Sequence, residues 1–321
     1  MGQARGHQTA ITLYEESAYN TDPGSPSGQK IYVVSMGVKA AKGRIQNAGL
    51  NGRVPGVPAP ANINVSGPMV LYVDPGSIGT LLKHAIGSVA DTGSDPYTHT
   101  YTPGDLPTGM ILEKDFGSSV GSTARYEKFG GCRVNSLNLI FPKEGWPTLN
   151  LDILGASRAF GSSPLDGTPD DNSVVPFNMH ESSLNEGGSS IAVVTNGNIQ
   201  IANNLVTDNY TVGNGGERYN APEGLAVISG QITALFEDKT LLDKAINDTD
   251  TSLKIVLSRG TGDGSDGNEE FSLEVQNMLY EEDSPPIDGP AGIMQTLNFH
   301  GYLDGSNTGI EAILKNAVAT V

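Results

Sequence analysis

The stretch "FEDKTLLDKAINDT" (Phe236–Thr249) decides how the rest of the chain is read, because "VDPGSIGTLLKHAIGS" (Val73–Ser88) has already said nearly the same thing. In the later copy Leu241, Leu242, Ala245 and Ile246 form an apolar stripe at helical spacing, with Asp238 placed to cap its start and Asn247 near its exit. In the earlier copy Ile78, Leu81, Leu82, Ala85 and Ile86 follow the same stripe after Asp74 and Pro75, and Gly87 closes it. These two short segments are the ones with convincing helical periodicity. Each predicts a short amphipathic helix laid on something larger.

That larger body reads as strands. Leu149, Leu151 and Ile153 alternate with Asn150 and Asp152, and Leu253, Ile255 and Leu257 alternate with Ser252, Lys254 and Val256. In "RVNSLNLIF", Leu137, Leu139 and Phe141 point one way while Ser136 and Asn138 point the other. With 41 Gly, 19 Pro and only 17% charged residues among 321, the composition suits many short strands joined by tight turns.

The helix echo extends outward. "INVSGPMVLYVD" (Ile63–Asp74) returns as "LAVISGQITALFED" (Leu225–Asp238), and "GRIQNAGLNGR" (Gly43–Arg53) returns as "GNIQIANN" (Gly197–Asn204) followed later by Arg218. Downstream, "ARYEKFGGCRVNSLNLIFPKEGWPTLNLDILG" parallels "EEFSLEVQNMLYEEDSPPIDGPAGIMQTLNFHGYLD". The shared order predicts an internal duplication. A first domain spans residues 1–158, a Gly-, Ser-, Pro- and Asp-rich linker 159–190, and a second domain 191–321.

The formal net charge of −17 disfavours attraction to nucleic-acid phosphates or an anionic membrane. No Lys or Arg stands between Arg158 and Arg218, so the acids from Asp166 to Glu217 read as a solvated segment. The single cysteine, Cys132, forbids an intramolecular disulfide or a multi-thiolate zinc site and reads as a buried apolar group. No signal-like leader or membrane-length apolar run is present, which predicts a soluble chain made in a cytoplasm.

A search for chemistry finds little. "GSSVG" (Gly117–Gly121) matches the G-x-S-x-G pattern around Ser119, but the following "STARYEKF" leads into a strand where a nucleophile elbow needs a helix, so a turn is the better reading. His7, His84, His99, His180 and His300 stand at no metal-ligand spacing; His84 reads as lying on the outer part of its helix. "DGSDGNEE", around Asp263 and Asp266, reads as a polar hairpin loop, with weak cation binding as the alternative. No metal, cofactor or catalytic constellation is expected, and the chain reads as a non-enzyme. Arg53 and Arg218, at matching places in the two copies, are either exposed loop arginines or paired contacts to a neighbouring subunit.

The combination of "LLKHAIGSVADTGSDPYTHTYTPGDLPTGMILEKDFG", "YEKFGGCRVNSLNLIFPKEGWPTLNLDILGA" and "VISGQITALFEDKTLLDKAIND" resembles the tail tube proteins of long-tailed, non-contractile bacteriophages, over about Gly43–Leu303. The resemblance implies a mainly β fold of two tandem tail-tube-type β-sandwich domains, each with one short flanking α-helix, whose sheets join those of neighbouring subunits into a tube barrel. It implies a virion structural protein, synthesised in the host cytoplasm, that self-assembles into stacked rings forming the tail tube, a negatively lined channel for DNA passage into the host cell. A duplicated chain would complete a pseudo-sixfold ring as a homotrimer. The implied partners are other copies of itself, a tape-measure protein in the lumen, terminator and distal tail proteins at the tube ends, and phage DNA only in transit, with no membrane and no cofactor. Candidate lumen residues are Ser136, Asn138, Asn150, Asp152, Thr296 and Asn298, whose alternative placement is an outward sheet surface. A single-ring terminator or adaptor, and a carbohydrate-binding β-sandwich, are the competing readings; the latter suits poorly a chain with 6% aromatic residues and one Trp, Trp146.

Overall fold

Alternating apolar and polar residues become strands through most of the chain. The computed structural model describes residues 2–49, 52–121, 125–287 and 289–321. The first half runs β1 (Ala10–Glu15), β2 (Gln29–Ile31), β3 (Val33–Met36), β4 (Lys39–Asn47), β5 (Gly56–Tyr72), α1 (Gly79–Ile86), β6 (Gly87–Gly93), β7 (Tyr97–Pro103), β8 (Met110–Asp115), β9 (Tyr126–Phe141), β10 (Thr148–Gly155) and β11 (Ser157–Gly161). The second runs β12 (Ser182–Glu186), β13 (Ser189–Ser190), β14 (Val194–Ala202), β15 (Val227–Leu235), α2 (Thr240–Ile246), β16 (Thr251–Ser258), β17 (Glu270–Tyr280), β18 (Met294–Gly301) and β19 (Ile310–Asn316). The fold is mainly β, and the described strand pairings are antiparallel apart from an isolated bridge between Gln29 and Asp170.

One set of pairings occurs twice. β1 lies on β8, β8 on β9, β9 on β10 and β11, and β10 on β5, whose other side carries β3 and β4 in succession. In the same pattern β12 lies on β16, β16 on β17, β17 on β18 and β19, and β18 on β15, whose other neighbour is β14. β9 and β17 each pair with two different sets of strands along their length, so the chain turns a corner and the apolar faces of the central strands are buried. The extra hairpin β6–β7 follows α1 and reaches across to extend the second half through β19.

The repeated Ser-Gly has a physical cause. A Cβ on Gly67 would meet the Gly37 carbonyl oxygen at 2.3 Å, and a Cβ on Gly230 would meet the Asn198 carbonyl oxygen at 2.2 Å. In both halves a neighbouring strand comes too close for any side chain. The Gly43/Gly197 echo, by contrast, is out of phase: Gln200 stands against Ser229, whereas Lys39, not Gln46, stands against Ser66.

The helices occupy unequal surroundings. In α1 and its lead-in, Ile78, Leu81, Leu82 and Ala85 are fully buried, and Gly87 ends the helix at φ 118°. His84 is buried too, at 1% exposure, which corrects its placement on an outer surface: the helix is covered on nearly every side, and Nε2 of His84 lies 3.1 Å from Glu15 on β1. In α2 Ala245 is buried but Ile246 is 49% exposed; the N-cap is Lys239, not Asp238, whose carboxylate sits one residue earlier and accepts from the Thr240 N–H at 2.8 Å.

Glu15 also receives Lys83 Nζ at 2.9 Å. The His84 hydrogen bond is the first cause and Lys83 reinforces it; together they hold the Glu15 carboxyl down at about 2. Because its folded pKa lies below the unfolded one, this contact contributes stability that is complete above about pH 4.5 and lost as the pH falls through about 2. Glu15 is 43% exposed, so its worth is under about 1 kcal/mol. Glu15→Gln should therefore lower the urea midpoint at pH 7 slightly and flatten its decline between pH 5 and pH 2.

The segment 159–190 is laid into the body. The Lys30 N–H donates to the Asp170 carbonyl at 2.9 Å, and Phe177 is fully buried. The acids here are not uniformly solvated either: Glu186 is 7% exposed and accepts from Lys244 Nζ at 2.6 Å and from the Thr251 hydroxyl at 2.7 Å. Burial needed a cation, and α2 supplies one.

Candidate functional site

Pairing through β4, β5, β10, β9, β14, β15 and β18 makes one continuous sheet that spans both halves. One face is core: Met69, Leu71, Leu149, Leu151, Leu137, Leu139, Ile199, Ile232, Leu297 and Phe299 are at most 1% exposed. Alternation sends the intervening residues to the other face. There the register places Asn150 beside Asn138, Asn138 beside Gln200, Asn198 beside Gln231, and Gln231 beside Asn298.

The six residues expected at a lumen therefore fall on this one face. Ser136 and Asn138 come from β9, Asn150 and Asp152 from β10, and Thr296 and Asn298 from β18, the last two exposed and the others half-buried. The face also gathers Asn196, Asn198 and Gln200 of β14 and Ser229, Gln231 and Thr233 of β15, which the sequence reading did not single out. Period-two alternation in "TNGNIQIA" and "ISGQITAL" carried that signal.

The amides hold one another. Asn198 Nδ2 donates to Asn138 Oδ1 at 2.9 Å, the Thr233 and Thr296 hydroxyls are 3.1 Å apart, and Asn135 Nδ2 donates to Asp152 Oδ2 at 3.0 Å. At the far end Glu281 accepts from Asn298 at 3.1 Å and lies 2.9 Å from His300 Nε2. The His300 contact first, then Asn298, lowers the Glu281 pKa. Among the described outward residues of β9 from Ser136 onward and of β10, β14, β15 and β18, Asp152 is the one Asp, Glu, Lys or Arg. Its central strands offer hydrogen-bonding capacity without Lys or Arg; on the flanking β4, Lys39 stands against Ser66 in the place that Gln200 takes against Ser229.

Arg53 and Arg218 part company. Arg53 is exposed near the tip of the β4–β5 ribbon, where Ile45 is 60%, Val54 82% and Val57 88% exposed. Arg218 is 2% exposed and spends its guanidinium inside the chain: Nε donates to the Thr207 carbonyl at 3.0 Å, Nη1 to the Gly155 carbonyl, and Nη2 to Asn64 Oδ1 at 3.0 Å and Tyr210 Oη at 3.2 Å. Arg133 does similar work, donating to the Ala221 and Leu106 carbonyls at 2.7 and 3.0 Å and pairing with Glu223 at 2.8 Å. Together they clamp the connection between β14 and β15 onto the first half.

The remaining candidates take structural places. Ser119 sits in a turn and donates to Gln8 Oε1 at 2.9 Å. His99 is fully buried, with Nδ1 2.7 Å from Asp91 and Nε2 2.9 Å from the Val318 carbonyl. Asp263 accepts from Thr261 and Ser265 of its own loop. Cys132 is fully buried, and burial pushes its thiol pKa far up, leaving an inert apolar group.

A search of curated proteins returned no match. A family model described as phage tail tube protein matches residues 6–301, nearly the whole chain and all but the last strand of the sheet system. On that match the chain belongs to the phage tail tube protein family, a family of structural proteins of the viral tail.

Proposed function

We propose that copies of this chain join edge to edge into rings, that the rings stack into the tail tube, and that the amide-rich face of the sheet lines the channel through which DNA leaves. The observation that carries this reading is that face: broad, continuous through both halves, polar, and without Lys or Arg on its central strands. A duplex sliding past cationic side chains would be held by every phosphate contact; the amides and hydroxyls of the central strands, with Asp152 as their one fixed charge, offer no such anchor. The repeated pairing pattern supports two tandem tube units per chain, divided near residues 159–190. It also supports three copies per ring, with a true threefold axis and pseudo-sixfold symmetry.

The β4–β5 ribbon supports the stacking step. Its apolar side chains are exposed on both faces, and Arg53 at its tip is placed to meet a carboxylate of the adjacent ring. In this reading the channel holds a tape-measure protein before DNA enters, and terminator and distal proteins close the ends.

Negative-stain microscopy of the purified protein or of virions is expected to show stacked rings with a central channel, and averaged end views to show threefold symmetry. Monomers under every condition would overturn the tube; six equivalent chains per ring would overturn the trimer alone. A second expectation concerns the lining. Particles built with Asn138→Lys and Gln231→Lys should assemble but release DNA several-fold more slowly at low salt, recovering as salt rises. Unchanged ejection kinetics would remove those residues from the channel.

A further inference from the structure

The chain contains one inter-unit seam inside itself. Along it, β9 from Ser136 to Phe141 pairs with β14 from Gly197 to Ala202. Just beyond, the buried Asn203 side chain donates to the Ala85 carbonyl at the end of α1 at 2.9 Å and to the Val134 carbonyl at 3.0 Å. Strand pairing, helix burial and a side-chain cap coincide there.

At the two ends of the sheet both halves of such a seam stand open. β17 takes the place of β9 in the second half: its first part lies between β16 and β19 as that of β9 lies between β8 and β11, and its end lies on β18 as that of β9 lies on β10. On the side where β9 receives β14, the described residues from Leu279 to Asp283 have no strand beside them. At the opposite end β4 pairs with β5 alone. The helix beside each seam differs accordingly: α1 at the internal seam is buried, while α2 beside the open edge leaves Ile246 49% exposed and Leu241 and Leu242 half-buried.

The charges on the two open edges are opposite. β4, "KAAKGRIQN", carries Lys39, Lys42 and Arg44 and no acid, in a chain whose net charge is −17. The edge after Tyr280 begins with exposed Glu281, Glu282 and Asp283, and no Lys or Arg appears before Met294. We propose that β4 of one copy pairs antiparallel with the Leu279–Asp283 edge of the next, and that these opposite charges select this head-to-tail joint; the proposal rests on the ring reading above. Counted from the Ser-Gly pairs, Gln200 meets Asn138 inside the chain, and the same count sets Lys39 of one copy against Asp283 of the next. The charges also oppose the wrong joints. Two β4 edges repel one another, as do two acidic edges, so back-to-back dimers that would cap a growing ring are disfavoured. A heterologous joint of this kind closes into a ring when its rotation allows.

The test is charge reversal on either edge and on both. Lys39→Glu with Lys42→Glu gives a chain with two acidic edges, and Glu281→Lys with Asp283→Lys gives one with two basic edges. Each is expected to keep the wild-type circular dichroism and melting of the monomer while its assembled fraction in sedimentation velocity falls by about tenfold or more. The four changes combined restore opposite edges and should restore rings. Reversal variants that assemble like the wild type would overturn this joint while leaving the tube intact, and so would a folded combined variant that stays monomeric. If a reversal variant misfolds, titration of the wild-type protein with NaCl takes its place: assembly weakened by screening supports the joint, and assembly indifferent to salt overturns it. Wild-type chains that never assemble would overturn the tube reading itself.

Discussion

Arg218→Ala is expected to destabilise the chain by about 3–5 kcal/mol, measured by urea unfolding at neutral pH. The side chain is 2% exposed and meets no carboxylate within ion-pair distance among the described residues. Its charge is dispersed over the Thr207 and Gly155 carbonyls, Asn64 Oδ1 and Tyr210 Oη, with the guanidinium carbon 5.3 Å from the centre of the Tyr210 ring. Alanine would leave buried acceptors without donors and a cavity the size of the fork. Lysine should recover little, because one ammonium cannot reach acceptors spread over three segments. Limited proteolysis gives an independent reading: the 203–226 connection should become the first site cut in Arg218→Ala. A variant as stable as the wild type would show that the loop is held elsewhere.

Gly230→Ala should cost about 3 kcal/mol or more, toward the upper end of overpacking penalties. The new methyl would sit 2.2 Å from the Asn198 carbonyl oxygen and 2.5 Å from Cζ of Phe299. Phe299 can swing away only by leaving the core, and the carbonyl belongs to β14, the strand that carries the seam with β9. A control is available at Gly167, where a Cβ would meet nothing within 4 Å; Gly167→Ala should change stability by no more than about 0.5 kcal/mol. A thermal melt of both variants decides the matter, and equal midpoints would refute the close approach.

Local patterning made much of this legible in the sequence. Leu137, Leu139 and Phe141 announced a buried face, and the two TLL-containing segments announced two helices, because period and capping are properties of neighbouring residues. The polar face opposite the core was legible for the same reason, as its complement. Long-range encounters were not. Nothing in "GGERYNAPEG" says that Arg218 will be roofed over by its own loop, nor does "LLKHAI" say that His84 will be buried against Glu15 of β1. The Gly43/Gly197 match misled because strand register follows from pairing, and identical letters at a shifted register occupy different places. Open edges are invisible in a sequence until the pairings are known.

The seam between β9 and β14 lies within one polypeptide, so the tether keeps its two sides at a high effective concentration however dilute the solution. Only the joint between chains answers to mass action. On dilution the assembly should shed whole polypeptides, and a fragment ending inside the connection to β14 would have to recruit in trans what the intact molecule holds in cis.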